Sequence, residues 1–132
     1  MDLDKAKTLA LDYLQAMERR DLDAAAACLA DAPTLTFPGG RVFGSAAEIA
    51  QNSSGRYRFV GKRIARCDAW PGDGATCVLV SGTLYGEWPD GAAFDNIRFI
   101  DRFDIVDGRI LRQDVWNDAG ERVLAMREAA RT

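Results

Sequence analysis

The sequence contains no histidine among its 132 residues. This absence excludes the Ser-His-Asp and Cys-His arrangements of nucleophilic enzymes and every metal site built on imidazole ligands. Cysteine is also scarce, and the three thiols (Cys28, Cys67 and Cys77) are odd in number and widely spaced, which favours free thiols over disulfides. Any chemistry must therefore come from carboxylates, tyrosines, hydroxyls and amides. We expect neither a metal nor another cofactor.

Long apolar runs and an excess of positive charge are missing as well. No stretch approaches the roughly 20 apolar residues that span a bilayer, and the charged N-terminus has no signal-peptide pattern. The net charge of −3 gives no electrostatic reason to expect nucleic acid. We therefore expect a cytoplasmic protein whose partners include neither a membrane nor nucleic acid.

One local run is nevertheless basic: Arg56, Arg58, Lys62, Arg63 and Arg66. Because its charges alternate with Tyr57 and Phe59, it is typical of a strand with one solvated face. That interpretation is favoured over an anion site.

The length and the composition, 48% hydrophobic and 28% charged, predict one globular domain over residues 1–132. Its first third has helical periodicity, with Asp21 and Ser45 as caps of the second and third helices. The first helix places five residues on one apolar face: Ala6, Ala10, Tyr13, Leu14 and Met17.

The remainder is strand-like. Segments 57–70, 75–88, 93–105 and 109–116 are separated by turn residues and followed by a last helix. That helix is capped by Asn117 or Asp118 and groups Val123, Leu124 and Met126 on one face. Helices followed by an antiparallel meander predict an α+β fold.

Asp101 is the most informative polar residue. The odd positions around it are apolar, and the even positions are polar except for Ile100; the apolar residues are Ile97, Phe99, Phe103 and Ile105. Since alternate strand residues face opposite sides, Asp101 shares the apolar face. With no lysine or arginine expected on that face, desolvation predicts a protonated carboxyl group that lines a pocket. A buried Asp satisfied by a backbone amide or a hydroxyl is the alternative.

Tyr13 is the second candidate, because its ring lies on the apolar face of the first helix and its hydroxyl needs a partner. Spacing alone favours a core tyrosine that is hydrogen-bonded to backbone.

The order of elements resembles the nuclear transport factor 2-like superfamily, which includes SnoaL-like polyketide cyclases, ketosteroid isomerase, scytalone dehydratase and limonene epoxide hydrolase. The matching features are two helices, the turn 37–40, a third helix led by Gly44, and a meander whose last hairpin contains Asp107 and Gly108. The resemblance implies a cone-shaped α+β barrel whose open end holds a small, mostly apolar ligand. It also implies a homodimer.

Ketosteroid isomerase gives the sharpest comparison. Its tyrosine and protonated aspartate, which form the oxyanion hole, correspond to Tyr13 and Asp101. Phe37 stands where that family has its general base, so steroid isomerisation is disfavoured. The epoxide hydrolase is disfavoured too, because Ser81, Thr83 and Val115 stand at the positions of its Arg and two Asp residues. Scytalone dehydratase depends on histidine.

The strand after Gly108 has two possible registers. A three-residue turn with a glycine bulge would point Leu111, Gln113 and Val115 into the pocket. A two-residue Asp107-Gly108 turn would instead point residues 112, 114 and 116 inward. The resemblance favours the first.

Two functions follow. One is an isomerase, cyclase or lyase acting on a small apolar carbonyl or enol compound, with Asp101 and Tyr13 as catalytic residues; the other is a binding or dimerisation module without chemistry. The expected ligand-binding residues are Phe37, Thr83, Tyr85, Phe99, Phe103 and Gln113, with Asn96 as a further orienting group. Dimerisation is predicted through an apolar outer sheet face formed by Val78, Val80, Leu84 and Ile100.

Overall fold

The computed structural model describes residues 1–131. In chain order the elements are α1 (Leu3–Arg19), α2 (Leu22–Cys28), β1 (Leu29–Phe37), β2 (Arg41–Phe43), α3 (Ala46–Ser54), β3 (Phe59–Pro71), β4 (Thr76–Glu87), β5 (Ala93–Val106), β6 (Arg109–Asn117) and α4 (Ala119–Ala130). Within residues 1–131 no helix is long and apolar enough to cross a membrane.

The six strands form one curved sheet in the order β2-β1-β6-β5-β4-β3. Neighbouring strands are antiparallel, except that β1 runs parallel to β6. The α+β architecture predicted from the sequence, with N-terminal helices packed on a curved, mostly antiparallel sheet, is thus confirmed. The periodicity did not predict β2, which has only three residues.

Side-chain caps fix where the helices begin. The Asp21 carboxylate accepts a hydrogen bond from the Ala24 N–H at the start of α2. At α3 the Ser45 hydroxyl accepts from the Glu48 N–H, while the Glu48 carboxylate accepts from the N–H of Gly44. This is the predicted capping box, displaced by one residue on its glutamate side.

The core lies between α1 and the sheet face that carries Asp101, here called the inner face. All five residues of the predicted apolar face of α1 are buried, as are the apolar odd positions of β5 from Ile97 to Ile105. The helical period in α1 and the alternation in β5 therefore correctly predicted which of their residues form the core.

The β4 strand has the opposite orientation to the one predicted. Directly opposite residues of an antiparallel pair share a face, and Val78 and Val80 lie opposite Phe103 and Asp101. Together with Leu84, these two valines are at most 3% exposed, so the prediction that they form an outer apolar face is wrong. Residues 78–80 are apolar on both faces, and alternation therefore could not decide their orientation. Of the predicted patch, Ile100 alone lies on the outer face.

The β5–β6 hairpin combines the two registers considered above. Asp107 and Gly108, both with positive φ, form the tight two-residue turn. The pairing then shifts, and Leu111 is left as an extra, exposed residue. This bulge returns Gln113 and Val115 to the inner face, where both are buried.

The last helix packs weakly. Among its described residues none is buried; Val123 is half-buried and Leu124 is 58% exposed, so residues 1–131 cover the predicted face of α4 only in part. The Asn117 side chain accepts from the Ala119 N–H, which makes Asn117 the capping side chain rather than Asp118.

Candidate functional site

A cavity of about 120 Å³ lies between α1, α3 and the inner face of the sheet. Its apolar wall comes from five strands and two helices, and includes Met17, Phe37, Ile49, Val60, Leu84, Phe99 and Val115. Polar side chains interrupt this wall at Tyr13, Lys62 and Gln113. Exposed residues at one end, among them Glu18 and Arg56, form the mouth.

An ion pair lies in the cavity wall. The Lys62 Nζ is 2.6 Å from Oδ2 of Asp101 and 4.9 Å from the centre of the Phe99 ring. Lys62 lines the cavity, whereas Asp101 lies behind it and is 0% exposed. The second carboxylate oxygen, Oδ1, is buried with no hydrogen-bond partner among residues 1–131. The lysine therefore compensates the charge of Asp101 and presents its ammonium group to the cavity.

The prediction that no cation shares the face of Asp101 is wrong, and the argument for a protonated carboxyl group loses its basis. Lys62 belongs to β3, two strands away from Asp101 in β5, and its long stem crosses β4 on the inner face. An alternation argument within β5 detects only neighbours on the same strand, so it could not find this partner.

Tyr13 and Gln113 form a second polar pair. The Tyr13 hydroxyl donates a hydrogen bond of 2.9 Å to Oε1 of Gln113, and both side chains are almost completely buried. The Tyr13 ring packs edge-on against Phe103. Burial raises the pKa of Tyr13, and the negative charge of Asp101 raises it further. Tyr13 therefore remains a neutral donor that orients the Gln113 amide.

The structure brings together part of the predicted set. Phe37, Phe99 and Gln113 line the cavity with Tyr13, while Phe103 lies behind the ring of Tyr13. The other members, Thr83, Tyr85 and Asn96, do not reach it.

Thr83 and Tyr85 lie on the outer face of β4, the opposite side from Val80 and Leu84. Thr83 is opposite Arg98, and the ring of Tyr85 is covered by the Arg63 guanidinium at 4.2 Å. Thr83 and Tyr85 therefore do not line the cavity, contrary to the prediction that they contact its ligand. Asn96 is exposed, because the β5 backbone bulges there with a φ of 56°.

Sequence reasoning missed Lys62 and three arginines, Arg20, Arg41 and Arg56, that also line the cavity. Lys62 and Arg56 belong to the basic run that is predicted to lie on a solvated face. The other members of that run, Arg58, Arg63 and Arg66, are indeed exposed. A signal for Lys62 was present: it lies two residues after Val60 and so shares the face of an apolar residue.

Within residues 1–131 no group of three or more His, Cys, Asp or Glu side chains is placed to hold a metal ion. The polar side chains that line the cavity are one ammonium, three amides, three hydroxyls, three guanidinium groups and one carboxylate: Lys62, Gln113, Asn52, Asn117, Tyr13, Tyr57, Ser53, Arg20, Arg41, Arg56 and Glu18.

The sequence model of the SnoaL-like domain matches residues 10–113, which include most of α1, the strands β1 to β5, the first half of β6 and most of the cavity wall. The chain belongs to the SnoaL-like domain family. No curated protein sequence matches this SnoaL-like protein.

Solved structures share the fold of this SnoaL-like protein over almost its whole length. An NTF2-like protein of unknown function from Burkholderia pseudomallei superimposes with a TM-score of 0.76 at 16% identity, covering 93% of this chain and 96% of the other. A proposed polyketide cyclase from Xanthomonas campestris pv. campestris gives 0.75 at 22% identity, covering 92% and 96%. TerC, co-crystallised with polyporic acid, gives 0.74 at 16% identity, covering 95% and 97%. At these identities the likeness shows the nuclear transport factor 2-like fold.

Proposed function

We propose that this SnoaL-like protein binds a small, largely apolar carbonyl or enol compound in the cavity, with the ligand's oxygen on the ammonium group of Lys62. The observation that carries this proposal is the Lys62–Asp101 ion pair in an otherwise mostly apolar wall. A buried ion pair costs desolvation energy and seldom improves stability over apolar residues. Its position in a cavity wall therefore favours a role in binding or chemistry.

The ammonium group of Lys62 has N–H donors that no acceptor among residues 1–131 occupies. An ammonium group has three N–H bonds, and the one acceptor of the Lys62 side chain among residues 1–131 is Asp101. The other N–H bonds are available to a ligand oxygen, and Asp101 fixes the position of Nζ. A charged donor binds an enolate oxygen more strongly than a neutral carbonyl oxygen, so it lowers the barrier to removing the adjacent proton. This is the step shared by isomerases, cyclases and many lyases of carbonyl compounds.

Gln113 is the second ligand contact in this proposal. Because its Oε1 accepts from Tyr13, its NH₂ group is directed away from that bond and can donate to the ligand. Tyr13 then acts as a positioning residue. Phe37, Phe99 and Phe103 keep their proposed roles as the apolar surroundings of the ligand, the last through its contact with Tyr13. The fold neighbours described as a polyketide cyclase and as crystallised with polyporic acid support a small organic ligand.

A binding protein without chemistry is the second candidate, and one observation favours it. Phe37 lines the cavity where the related isomerases have a base, and Glu18 at the mouth is the one carboxylate among the lining residues in the described part of the chain. The Glu18 carboxylate is already engaged with the backbone N–H of Lys62. Proton abstraction would therefore depend on Glu18 or on solvent.

Self-association through the outer sheet face remains part of the proposal, on a smaller patch than predicted. Ile100 and Trp116 are direct neighbours across β5 and β6 and are 42% and 56% exposed. Exposed apolar neighbours on a sheet face mark a partner surface. The three free cysteines support a reducing compartment, and we place the protein in the cytoplasm on that ground.

The neutral bicyclic ketone 1-tetralone tests the two candidates. Binding is measured by calorimetry, and enolisation by the loss of the proton signal at C2 in D₂O by NMR. We expect the wild type to bind the ketone and accelerate exchange, and Lys5→Met, an exposed lysine on α1, to keep both. The double variant Lys62→Met/Asp101→Asn, which leaves no unpaired buried charge, should lose both. Binding without faster exchange would select the non-catalytic candidate. Equal binding by the wild type and the double variant would overturn the proposal.

A further inference from the structure

Three arginines contribute to the rim of the cavity: Arg20, Arg41 and Arg56. None of them forms a salt bridge with any carboxylate in residues 1–131. The carboxylate of Glu18 is on the same rim, but it accepts from the Lys62 backbone. The rim thus carries three guanidinium groups against one carboxylate, a net positive charge, although the whole chain has a net charge of −3.

Arg41 is held in place by uncharged groups. Its Nε donates to the Pro38 carbonyl at 3.2 Å, and its Nη1 donates to Oδ1 of Asn52 at 2.8 Å. These two bonds leave the Nη2 donors without an acceptor among residues 1–131. Because a guanidinium has five N–H donors in a rigid plane, the fixed side chain presents a preformed edge for a planar anion.

Arg56 lies close enough to Arg41 to affect its titration. Burial lowers the pKa of Arg41, and the positive charge of Arg56 lowers it further. The Arg56 side chain makes no hydrogen bond or ion pair within the described chain, and Tyr57 beside it is half-buried and also lines the cavity. Two like charges brought together without a counter-ion repel, and an anion bound between them relieves that repulsion.

We propose that the mouth of the cavity binds the carboxylate of a small apolar acid between Arg41 and Arg56, with the apolar body of the ligand directed toward Phe99 and Leu84. The inference rests on the proposed function and narrows its ligand class: the carbonyl or enol compound is an organic acid ionised at neutral pH. Planar carboxylates pair with guanidinium groups through two parallel hydrogen bonds, which fixes the orientation of the ligand. With the acid group at the mouth, the inner part of the ligand lies next to the ammonium group of Lys62.

A matched pair of ligands tests the charge alone: 2-naphthoate and 2-naphthamide have nearly the same shape and differ in ionisation. We expect the wild type to bind the acid about tenfold or more tightly than the amide, as a charge-assisted contact provides. Raising the salt concentration should reduce this preference. Calorimetry at low ionic strength measures both affinities.

Two arginine variants locate the effect. Arg56→Gln breaks no hydrogen bond within the described chain, and we expect it to remove most of the preference for the acid while keeping the affinity for the amide. Arg58→Gln removes the same charge two residues away, where Arg58 pairs with Glu87 and does not line this cavity, and it should keep the preference. Equal affinities for acid and amide in the wild type, or an unchanged preference in Arg56→Gln, would overturn the inference.

The outcomes separate this inference from the proposed function. If 1-tetralone binds in a Lys62-dependent manner but the acid has no advantage over the amide, the carboxylate site is wrong and the proposed function stands. If neither 1-tetralone nor the naphthyl compounds bind, both are overturned.

Discussion

Replacement of Lys62 by methionine keeps the length and most of the apolar stem of the side chain and removes its charge. The change leaves Asp101 as a carboxylate that is 0% exposed and has no cation within salt-bridge distance among residues 1–131. At the observed separation of 2.6 Å the attraction between the two charges is about 6 kcal/mol for an effective dielectric constant of about 20. Desolvation of both groups opposes that attraction, and removal of one partner from a buried pair costs about 3–5 kcal/mol.

A loss of this size is a large fraction of the about 5–15 kcal/mol that stabilises a typical domain. We therefore expect Lys62→Met to unfold at a markedly lower urea concentration than the wild type at pH 7. The double variant Lys62→Met/Asp101→Asn removes the buried charge as well, and it should recover much of the loss.

The pair between Arg98 and Asp118 supplies a matched control. Its Nε–Oδ2 distance is also 2.6 Å, but its side chains are 81% and 44% exposed. Solvent and salt screen such a pair, so Arg98→Met should change the urea midpoint very little. If Lys62→Met loses no more stability than Arg98→Met, or if the double variant recovers none of the loss, the argument from a buried, compensated charge is refuted.

Three further outcomes can be measured. Tyr13→Phe should lower the unfolding free energy by about 1–3 kcal/mol, because Gln113 loses its donor. Above pH 10 the wild type should lose stability as the pH rises, because folded Tyr13 keeps a proton that the unfolded chain releases there. Tyr13→Phe should make this decline less steep by up to about 1.4 kcal/mol per pH unit. If urea titrations give both proteins the same alkaline slope, the raised pKa of Tyr13 is contradicted. Gly82→Ala should cost about 1–3 kcal/mol, since the added Cβ would collide with the carbonyl of Arg63, whereas Gly120→Ala in α4 meets no atom and should be neutral or stabilising by thermal unfolding. We expect the wild type to sediment as the proposed dimer and Trp116→Arg as a monomer, and equal masses for the two would contradict an interface on the outer face.

Elements with one clear period could be predicted from the sequence. The elements α1 and β5 each have one polar side and one apolar side, so only the apolar side could be the buried one. The β4 segment has apolar residues on both faces at Val78-Leu79-Val80, and its orientation depends on pairing with β5, which periodicity does not contain.

The candidate site was less predictable because it depends on long-range geometry. Asp101 and Tyr13 were found from their burial, but their partners lie on other elements: Lys62 two strands away and Gln113 at the far end of the chain. The bulge at Leu111 decides whether Gln113 points inward, and no local turn signal marked it.

The parallel pairing of β1 with β6 also bears on how the protein is made. The hydrogen bond from Tyr13 reaches a residue 100 positions later in the chain, and Leu35 pairs with the same residue, Gln113. During synthesis, α1 and β1 leave the ribosome long before β6 does, so the wall of the cavity cannot close until β6 has emerged. Contacts of such separation are slow to form. A nascent chain ending before β6 therefore lacks the Gln113 partner of Tyr13 and the part of the cavity wall that β6 supplies.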